Sequence, residues 1–295
     1  MRYAAIDVGS NAVRLLIADV VIKGSEVTSK KNSLIRVPLR LGDDAFLNKR
    51  LSDQKAEDLV KTFSAFRHLM DVYRVSDYMA CATSAMRESV NGPEVVERIR
   101  KEAGIDLEII DGGKEASIIY SSHIEQHLDR KKNYLYIDVG GGSTELSVFC
   151  GQELKASRSF DIGTIRMLDN QDKEETWKDL REWIRQHTRH IKNPTGIGTG
   201  GNINKLFKMS QEKEGTALTF VRLRALYNHL NSFSLKERIT QLGLNEDRAD
   251  VIMPASEIFL TVMKWAGVKS IYVPKAGLVD GIIQLLVEKH QHEFG

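Results

Sequence analysis

The sequence predicts an α/β protein of two domains that contains a duplicated unit. A length of 295 residues suits two domains of ordinary size. Short apolar strands alternate with amphipathic helices along the chain, which is typical of layered α/β folds. The segments IDVGSNAVRLLI (6–17) and IDVGGGSTELSV (137–148) share Ile-Asp-Val-Gly, then small residues, then an apolar strand. This repeat predicts domains over residues 1–125 and 126–295, with a last helix able to pack back on the first domain.

The first half of the chain is predicted to begin with a β-hairpin. Residues 3–8 and 13–22 are apolar strands on either side of a polar turn, and residues 34–37 form a further short strand. A helix begins after Ser52, because serine is a good N-cap and apolar residues follow at helical spacing. The remaining predicted elements are strand YMACAT, a helix that ends at Gly104, strand LEII, and a helix entered through Gly112 and Gly113.

The second half repeats this pattern. The segment NYLYIDVGGGSTELSVFCGQEL reads as strand, glycine turn and strand, and TGIGTGGNINKLFKM as a strand that enters a glycine-rich turn and a helix. The other predicted elements are helices near 173–192, 222–232 and 246–266, strand SIYVP, and a helix from Gly277 onward. No Pro- or Ser-rich linker separates the halves, so we expect the boundary at a short crossover near residues 125–133.

Composition and charge favour an ordinary cytoplasmic protein. The hydrophobic fraction of 42% and the charged fraction of 28% are typical of globular chains, and a net charge of +2 demands neither a nucleic-acid nor a membrane partner. The sequence has no 18-residue apolar stretch and no signal-peptide pattern at its start. Cys81 and Cys150 lie in apolar stretches and are interpreted as reduced core residues. We therefore expect a cytoplasmic location, no membrane and no nucleic acid.

The duplicated turn is suited to binding phosphate. Glycine permits positive φ and close approach of the backbone to a ligand, and the N–H groups of such a turn bind anions. An aspartate at the end of the preceding strand can hold a divalent cation or its waters. We expect Asp7 and Asp138 to face each other across a cleft, with phosphate between the turns. The alternative, in which each aspartate only caps its own turn, is disfavoured by the second copy and by GIGTGGN (196–202).

Three such turns resemble the two-domain actin–hexokinase, or ribonuclease H-like, fold. Within that superfamily, the segments AAIDVGSNAVRLLIADV and YIDVGGGSTELSVF resemble the phosphate motifs of the exopolyphosphatase/guanosine pentaphosphate phosphatase (Ppx/GppA) family. The segments ATSAMRESVN and DGGKEASIIY are also similar to the family, while RADVIMPASEIF and GLVDGII resemble it more loosely. The resemblance implies two ribonuclease H-like domains with a cleft between them, in the family's short two-domain form and as a homodimer.

The resemblance also implies roles for individual residues. Glu115 would be the general base, although a carboxylate in the first turn of a helix also suits the helix dipole. Asp138 is the best candidate ligand for Mg²⁺ or another divalent cation, together with Glu145 and Asp7. Glu145 lies in a buried strand, where a carboxylate needs a metal or a basic partner, so it is assigned catalytic or metal duty. The candidate phosphate-binding residues are Ser10, Asn11, Arg87, Gly140, Gly141, Gly142, Ser143 and Thr144. Arg87 could alternatively form a salt bridge.

The function implied is release of terminal phosphate from inorganic polyphosphate by metal-assisted attack of water. Guanosine pentaphosphate is an alternative substrate, because both need the same chemistry. A sugar or small-acid kinase of the superfamily is disfavoured because the candidate carboxylate is Glu115. A non-catalytic sensor of polyphosphate or an alarmone nucleotide is a further alternative. Three residues depart from the family pattern and put activity in question, namely Lys114, Pro254 and Val279. Of these, Lys114 and Val279 support the sensor.

Overall fold

Two compact units make up the chain. The computed structural model describes residues 1–23, 26–121, 129, 131–191, 194–274 and 277–294. Unit one contains residues 1–123 and 276–295, and unit two contains residues 124–275. The boundary that the sequence predicts after residue 125 lies outside the described residues. Each unit combines a mixed sheet with helices, which confirms the predicted α/β fold class.

Unit one begins with the predicted hairpin. Its strands are β1 (Arg2–Val8), β2 (Val13–Lys23), β3 (Glu26–Val37), β4 (Asp77–Ala82) and β5 (Glu108–Ile109). Its helices are α1 (Leu41–Asn48), α2 (Asp53–Val72), α3 (Ser84–Glu88), α4 (Gly92–Ala103), α5 (Gly112–Tyr120) and, from the end of the chain, α13 (Leu278–Phe294). The sheet order is β3-β2-β1-β4-β5, and β1, β4 and β5 are parallel. Their carboxyl ends therefore share one edge, where open α/β sheets bind ligands.

The last helix of the chain packs on the sheet of unit one. Helix α13 contacts β1, β2, β4 and α5. A Cβ atom at Gly281 would lie 1.8 Å from the carbonyl oxygen of Ile118 in α5, so glycine is required for this approach. Two ion pairs also join α13 to strands of the sheet, Lys31–Asp280 at 2.7 Å and Lys289–Asp77 at 2.8 Å. The position of α5 therefore depends on α13.

Unit two repeats the order of three strands, then helices and parallel strands. Its strands are β6 (Asn133–Val139), β7 (Thr144–Cys150), β8 (Glu153–Phe160), β9 (Thr195–Thr199), β10 (Leu218–Thr219) and β11 (Ser270–Tyr272). Its helices are α6 (Thr164–Leu168), α7 (Glu174–Thr188), α8 (Gly201–Ser210), α9 (Phe220–Asn231), α10 (Leu235–Thr240), α11 (Glu246–Ala249) and α12 (Ile252–Ala266). The sheet order is β10-β11-β9-β6-β7-β8, and β6, β9 and β11 are parallel.

The core of unit two lies on one face of this sheet. Leu135, Ile137 and Val139 of β6 belong to the core cluster, because alternate residues of a strand point to the same face. Residues of α7, α8, α9 and α12 complete the cluster. The intervening residues of β6, which include Asp138, lie on the opposite face of the sheet. The alternation thus separates the core from the polar positions of the strand.

Most predicted elements are present, and the differences have local causes. The hairpin, the Ser52 N-cap and the Gly104 C-cap of α4 are confirmed. Strand β3 is longer than the predicted 34–37. The prediction was too short because the first part of the strand is largely polar and gives no apolar signal. The predicted helix 246–266 is two helices, α11 and α12, with Pro254 in the first turn of α12, where its missing N–H costs no hydrogen bond.

Two further expectations concern the cysteines and membrane association. Cys81 and Cys150 are free thiols, and burial raises the pKa of Cys81 to about 12. Cys81 is buried in β4, as predicted, whereas Cys150 is only partly buried at the end of β7. None of the helices in the described part of the chain combines the length and apolar character that a membrane crossing requires.

Candidate active site

The first glycine turn, residues 9–12, joins β1 to β2. The N–H of Gly9 donates to the carbonyl of Ala12 at 3.1 Å and closes the turn. Asp7 lies directly opposite Arg14 in the antiparallel register, and Arg14 Nη1 lies 2.8 Å from Asp7 Oδ2. Asp7 is buried. Burial raises the pKa of the Asp7 carboxyl, although the Arg14 guanidinium acts in the opposite direction. Asp7 therefore has a cationic side chain as its cross-strand partner.

The other predicted residues of unit one lie along the same edge of its sheet. Ser10 Oγ is 2.9 Å from Ser84 Oγ, so the first turn is joined to the start of α3. The carbonyl of Asn11 accepts from the N–H of Arg40 at 2.9 Å. Arg87, at the end of α3, donates from Nη1 to the carbonyl of Ile110 at 2.8 Å. Arg87 thus links α3 to the loop between β5 and α5.

Glu115 is held by this same loop. Asp111 caps α5 by accepting from the N–H of Lys114 at 2.7 Å, and Glu115 lies in the first turn that follows. The carbonyl of Ile110, which binds Arg87, directly precedes this cap. The side chain of Lys114 forms an ion pair with Glu108 at 2.5 Å. Lys114 directly precedes Glu115 in the sequence, but its charged group pairs with Glu108.

Two carboxylates flank the second glycine turn, residues 140–143. They occupy the positions at which the Asp7–Arg14 ion pair flanks the first turn. Asp138 and Glu145 are directly opposite in the antiparallel register of β6 and β7, so their side chains lie on the same face. Glu145 is 2% exposed and accepts from Ser159 Oγ at 2.8 Å. Two carboxylates on one face in this register can bind a cation together.

The third glycine turn lies against Asp138. Thr199, at the end of β9, is the parallel partner of Asp138. Gly200 follows with φ +99°, and a Cβ atom there would lie 3.0 Å from Asp138 Oδ1. Glycine therefore keeps the space beside the carboxylate open. Arg248 donates to the carbonyl of Gly201 at 2.5 Å and thereby fixes the start of α8.

The donor set of unit two fits Mg²⁺. This ion prefers carboxylate oxygens and is commonly held by one or two carboxylates together with phosphate oxygens and water. Asp138 and Glu145 supply two such groups. No group of three or more His, Cys, Asp or Glu residues that could hold a metal occurs among the described residues. Asp7, with Arg14 at 2.8 Å, is the weaker of the three candidate ligands.

Close packing against the second glycine turn requires glycine at position 163. Positive φ, which the sequence allows as a reason for glycine, occurs at none of Gly140, Gly141 and Gly142. The segment that enters α6 lies against the turn, and a Cβ atom at Gly163 would lie 2.4 Å from the carbonyl oxygen of Gly141. The predicted hydroxyl of Thr144 donates to the carbonyl of Ile162 at 2.6 Å, which ties the turn to this segment.

Sequence reasoning missed Arg166 in α6. Its side chain is buried, and Nε donates to the carbonyl of Gly142 at 2.6 Å. The available signal was an arginine in a short apolar segment, GTIRML, directly after a strand. Of the departures from the family pattern, Val279 is buried in α13 and Pro254 is buried in α12.

Comparison with known proteins identifies the family. The family model described as the Ppx/GppA phosphatase family matches residues 27–290. The chain belongs to the Ppx/GppA phosphatase family. It is 27% identical to a bifunctional 3-dehydroquinate synthase/phosphatase of Fusobacterium nucleatum over 95% of this chain and 46% of that protein. The chain thus spans about half the length of this relative.

Two further relatives carry the family's two names. The chain is 24% identical to a guanosine-5'-triphosphate,3'-diphosphate pyrophosphatase of Aeromonas hydrophila, with 95% of this chain and 58% of that protein covered. The crystal structure of an exopolyphosphatase from Cytophaga hutchinsonii matches with a TM-score of 0.84 and 25% identity over 98% of both chains. Ppx/GppA structures have two actin-like domains, which agrees with the two ribonuclease H-like units predicted from the sequence.

Proposed function

We propose that this chain releases the terminal phosphate of inorganic polyphosphate with the help of Mg²⁺ or another divalent cation. The observation that carries the proposal is the pair of opposed carboxylates, Asp138 and Glu145, beside a glycine turn. A metal ion held by this pair would neutralise phosphate oxygens and favour attack at phosphorus. The match to an exopolyphosphatase structure over 98% of both chains supports polyphosphate as the substrate.

The proposal gives roles to candidate residues in each unit. The turn of residues 140–143 binds the terminal phosphate through backbone N–H groups. Arg87 contributes a guanidinium that can grip phosphate while it also holds the loop before α5. Asp7 is the second metal candidate, directly or through water. Ser10 and Asn11 bind phosphate at the first turn, and Ser143 and Thr144 shape the second.

Glu115 accepts the proton in this proposal. A water molecule attacks the terminal phosphorus of polyphosphate. A new P–O bond to the water oxygen forms while the P–O bond to the rest of the polyphosphate breaks. The proton of the water moves to Glu115, as a general base requires. The products are orthophosphate and a polyphosphate that is one phosphate shorter. The capped first turn of α5 holds Glu115 for this role.

Guanosine pentaphosphate is the second candidate substrate. The relative from Aeromonas hydrophila is named as a guanosine-5'-triphosphate,3'-diphosphate pyrophosphatase. Hydrolysis of its terminal phosphoanhydride needs the same base and metal ligands. A weakly catalytic sensor is the third candidate, supported by Lys114 and by the apolar Val279 in α13. A homodimer and a cytoplasmic location remain predictions.

Phosphate release tests the proposal. Purified protein with Mg²⁺ is incubated with long-chain polyphosphate and, in parallel, with guanosine pentaphosphate, and orthophosphate is measured. We expect release from polyphosphate that disappears in Glu115→Gln. Release only from guanosine pentaphosphate would select the second candidate. No release from either substrate by folded protein would refute hydrolysis and favour the sensor, and Lys114→Glu would then be the first variant to test for recovered activity.

A further inference from the structure

Three consecutive carbonyl groups of the second glycine turn are bound by three consecutive residues of the segment that enters α6. The N–H of Thr164 donates to the carbonyl of Gly140 at 3.1 Å, and the N–H of Ile165 donates to that of Gly141 at 2.9 Å. The third bond comes from a side chain, because Arg166 Nε donates to the carbonyl of Gly142 at 2.6 Å. The carbonyls of Gly140, Gly141 and Gly142 are thus directed toward this segment.

The direction of the carbonyls fixes the direction of the N–H groups. In a planar trans peptide the C=O of one residue and the N–H of the next point in opposite directions. The N–H groups of Gly141, Gly142 and Ser143 therefore point away from α6. No acceptor for the N–H of Gly141 or Gly142 is found among the described residues. Successive N–H groups on one side of a turn can bind an anion as a nest.

Arg166 is buried more deeply than its charge alone would favour. The residue is 5% exposed, and Asp161, whose own side chain is 68% exposed, lies 3.6 Å from Nη2. Burial of a guanidinium costs free energy unless hydrogen bonds compensate for lost water. The short bond to the carbonyl of Gly142 supplies such compensation.

The first turn achieves the same arrangement with backbone alone. The N–H of Gly42 donates to the carbonyl of Ser10, and the N–H of Arg40 donates to that of Asn11, both at 2.9 Å. Asn11 and Gly142 occupy equivalent positions in the repeat. The equivalent carbonyl is thus bound by a main-chain N–H in unit one and by the Arg166 side chain in unit two. The bond to this carbonyl in the second turn therefore depends on one side chain.

We propose that Arg166 is a positioning residue for phosphate, which acts through the carbonyl of Gly142. Its hydrogen bond holds the peptide between Gly142 and Ser143 so that the N–H of Ser143 joins the nest. Its positive charge, beneath the turn, adds to the attraction for the phosphate. Arg166 touches no substrate in this account. The inference rests on the proposed function because the anion that the turn positions is the terminal phosphate.

Binding of inorganic tripolyphosphate with Mg²⁺ tests this role. Affinity is measured by calorimetry in the Glu115→Gln background, so that turnover does not interfere. Arg166→Met should weaken binding by about tenfold or more, the scale of one hydrogen bond from a charged donor. Arg166→Lys should recover part of the loss. The matched control is Arg185→Met, which removes an exposed arginine that pairs with Glu182 in α7.

Equal tripolyphosphate affinity in Arg166→Met and Arg185→Met would overturn the proposal. Absence of tripolyphosphate binding in the control variant Arg185→Met would also overturn it. If Arg166→Met does not fold, hydrogen exchange of Arg166→Lys decides. Exchange at residues 140–143 should then rise relative to Arg185→Met, while β6 stays protected, and unchanged exchange would refute the role. Failure of hydrolysis by the wild-type protein would refute the proposed function without altering the binding comparison.

Discussion

The first glycine turn, in unit one, and the second glycine turn, in unit two, lie in equivalent hairpins that differ in charge. In unit one Asp7 faces Arg14 across the hairpin, with 2.8 Å between the charged groups. In unit two the equivalent Asp138 faces Glu145. The same backbone thus presents an ion pair in one copy and two carboxylates in the other. Both copies keep the glycine turn, and the residue at one cross-strand position differs in charge. We propose that this position makes unit two the better site for a cation.

Replacing Glu115 by glutamine should produce the largest effect, because Glu115 is the proposed general base. We expect turnover to fall by about 10²–10⁴-fold, the usual range for loss of a general base, with substrate binding nearly unchanged. Single-turnover kinetics and calorimetry measure the two quantities separately. Equal losses in binding and in rate would contradict the assignment of Glu115 as the base.

Replacing Arg87 by alanine should have the next largest effect. The variant loses the hydrogen bond to Ile110 that holds the loop before α5, as well as a guanidinium for phosphate. We expect kcat/KM to fall by about 10–100-fold, with changes in both kcat and KM. Arg100→Ala, which removes a mostly exposed arginine paired with Glu97, is the control. An unchanged apparent affinity would remove Arg87 from the phosphate site.

A methyl group at Gly281 should displace α5 in unit one. Alanine is the better helix former by up to about 1 kcal/mol, so a purely local effect would stabilise α13. The contact with Ile118 opposes this gain, and we expect kcat to fall by about three- to tenfold through Glu115. Gly277→Ala is matched, because a Cβ atom there meets nothing within 4 Å. Identical kcat in both variants would show that α13 does not position the base.

The pH dependence of stability should distinguish Asp7 from an ordinary surface carboxylate. Its pKa is raised by burial in the folded state, so the folded protein holds this proton more tightly than the unfolded chain. Ionisation of Asp7 therefore lowers stability as pH rises above the ordinary pKa of 3.8 and through the folded value. The melting temperature of Asp7→Asn should rise relative to wild type over that range. A difference that does not vary with pH would contradict this account.

The sequence predicted the parts of the molecule that depend on apolar patterning and turn residues. The duplicated hairpins, the glycine turns and the capped helix α2 all have such local signals. Strand β8 was missed because most of its residues are polar and exposed. The short helix α6 was missed because five residues give too little periodicity. The role of Arg166 depends on a contact 24 residues away along the chain, which no local pattern indicates.

The opposition of Asp7 and Arg14 follows from their spacing about the turn. The turn fixes the register of an antiparallel hairpin, so residues equally distant from the turn face each other. The same rule pairs Asp138 with Glu145. Applied at the outset, it would have ranked the second turn above the first as the metal site. Register, more than residue type, therefore separates the candidate ligands.

Binding of Mn²⁺, as a spectroscopic substitute for Mg²⁺, tests the central claim most directly. Electron paramagnetic resonance measures free Mn²⁺ in the presence of orthophosphate for wild type, Asp138→Asn and Asp7→Asn. Loss of a residue that only supports a metal ligand already costs about 10–100-fold in affinity. We therefore predict that Asp138→Asn weakens Mn²⁺ binding by at least tenfold, while Asp7→Asn changes it little. Weaker binding in Asp7→Asn than in Asp138→Asn would contradict the assignment of the cation to unit two.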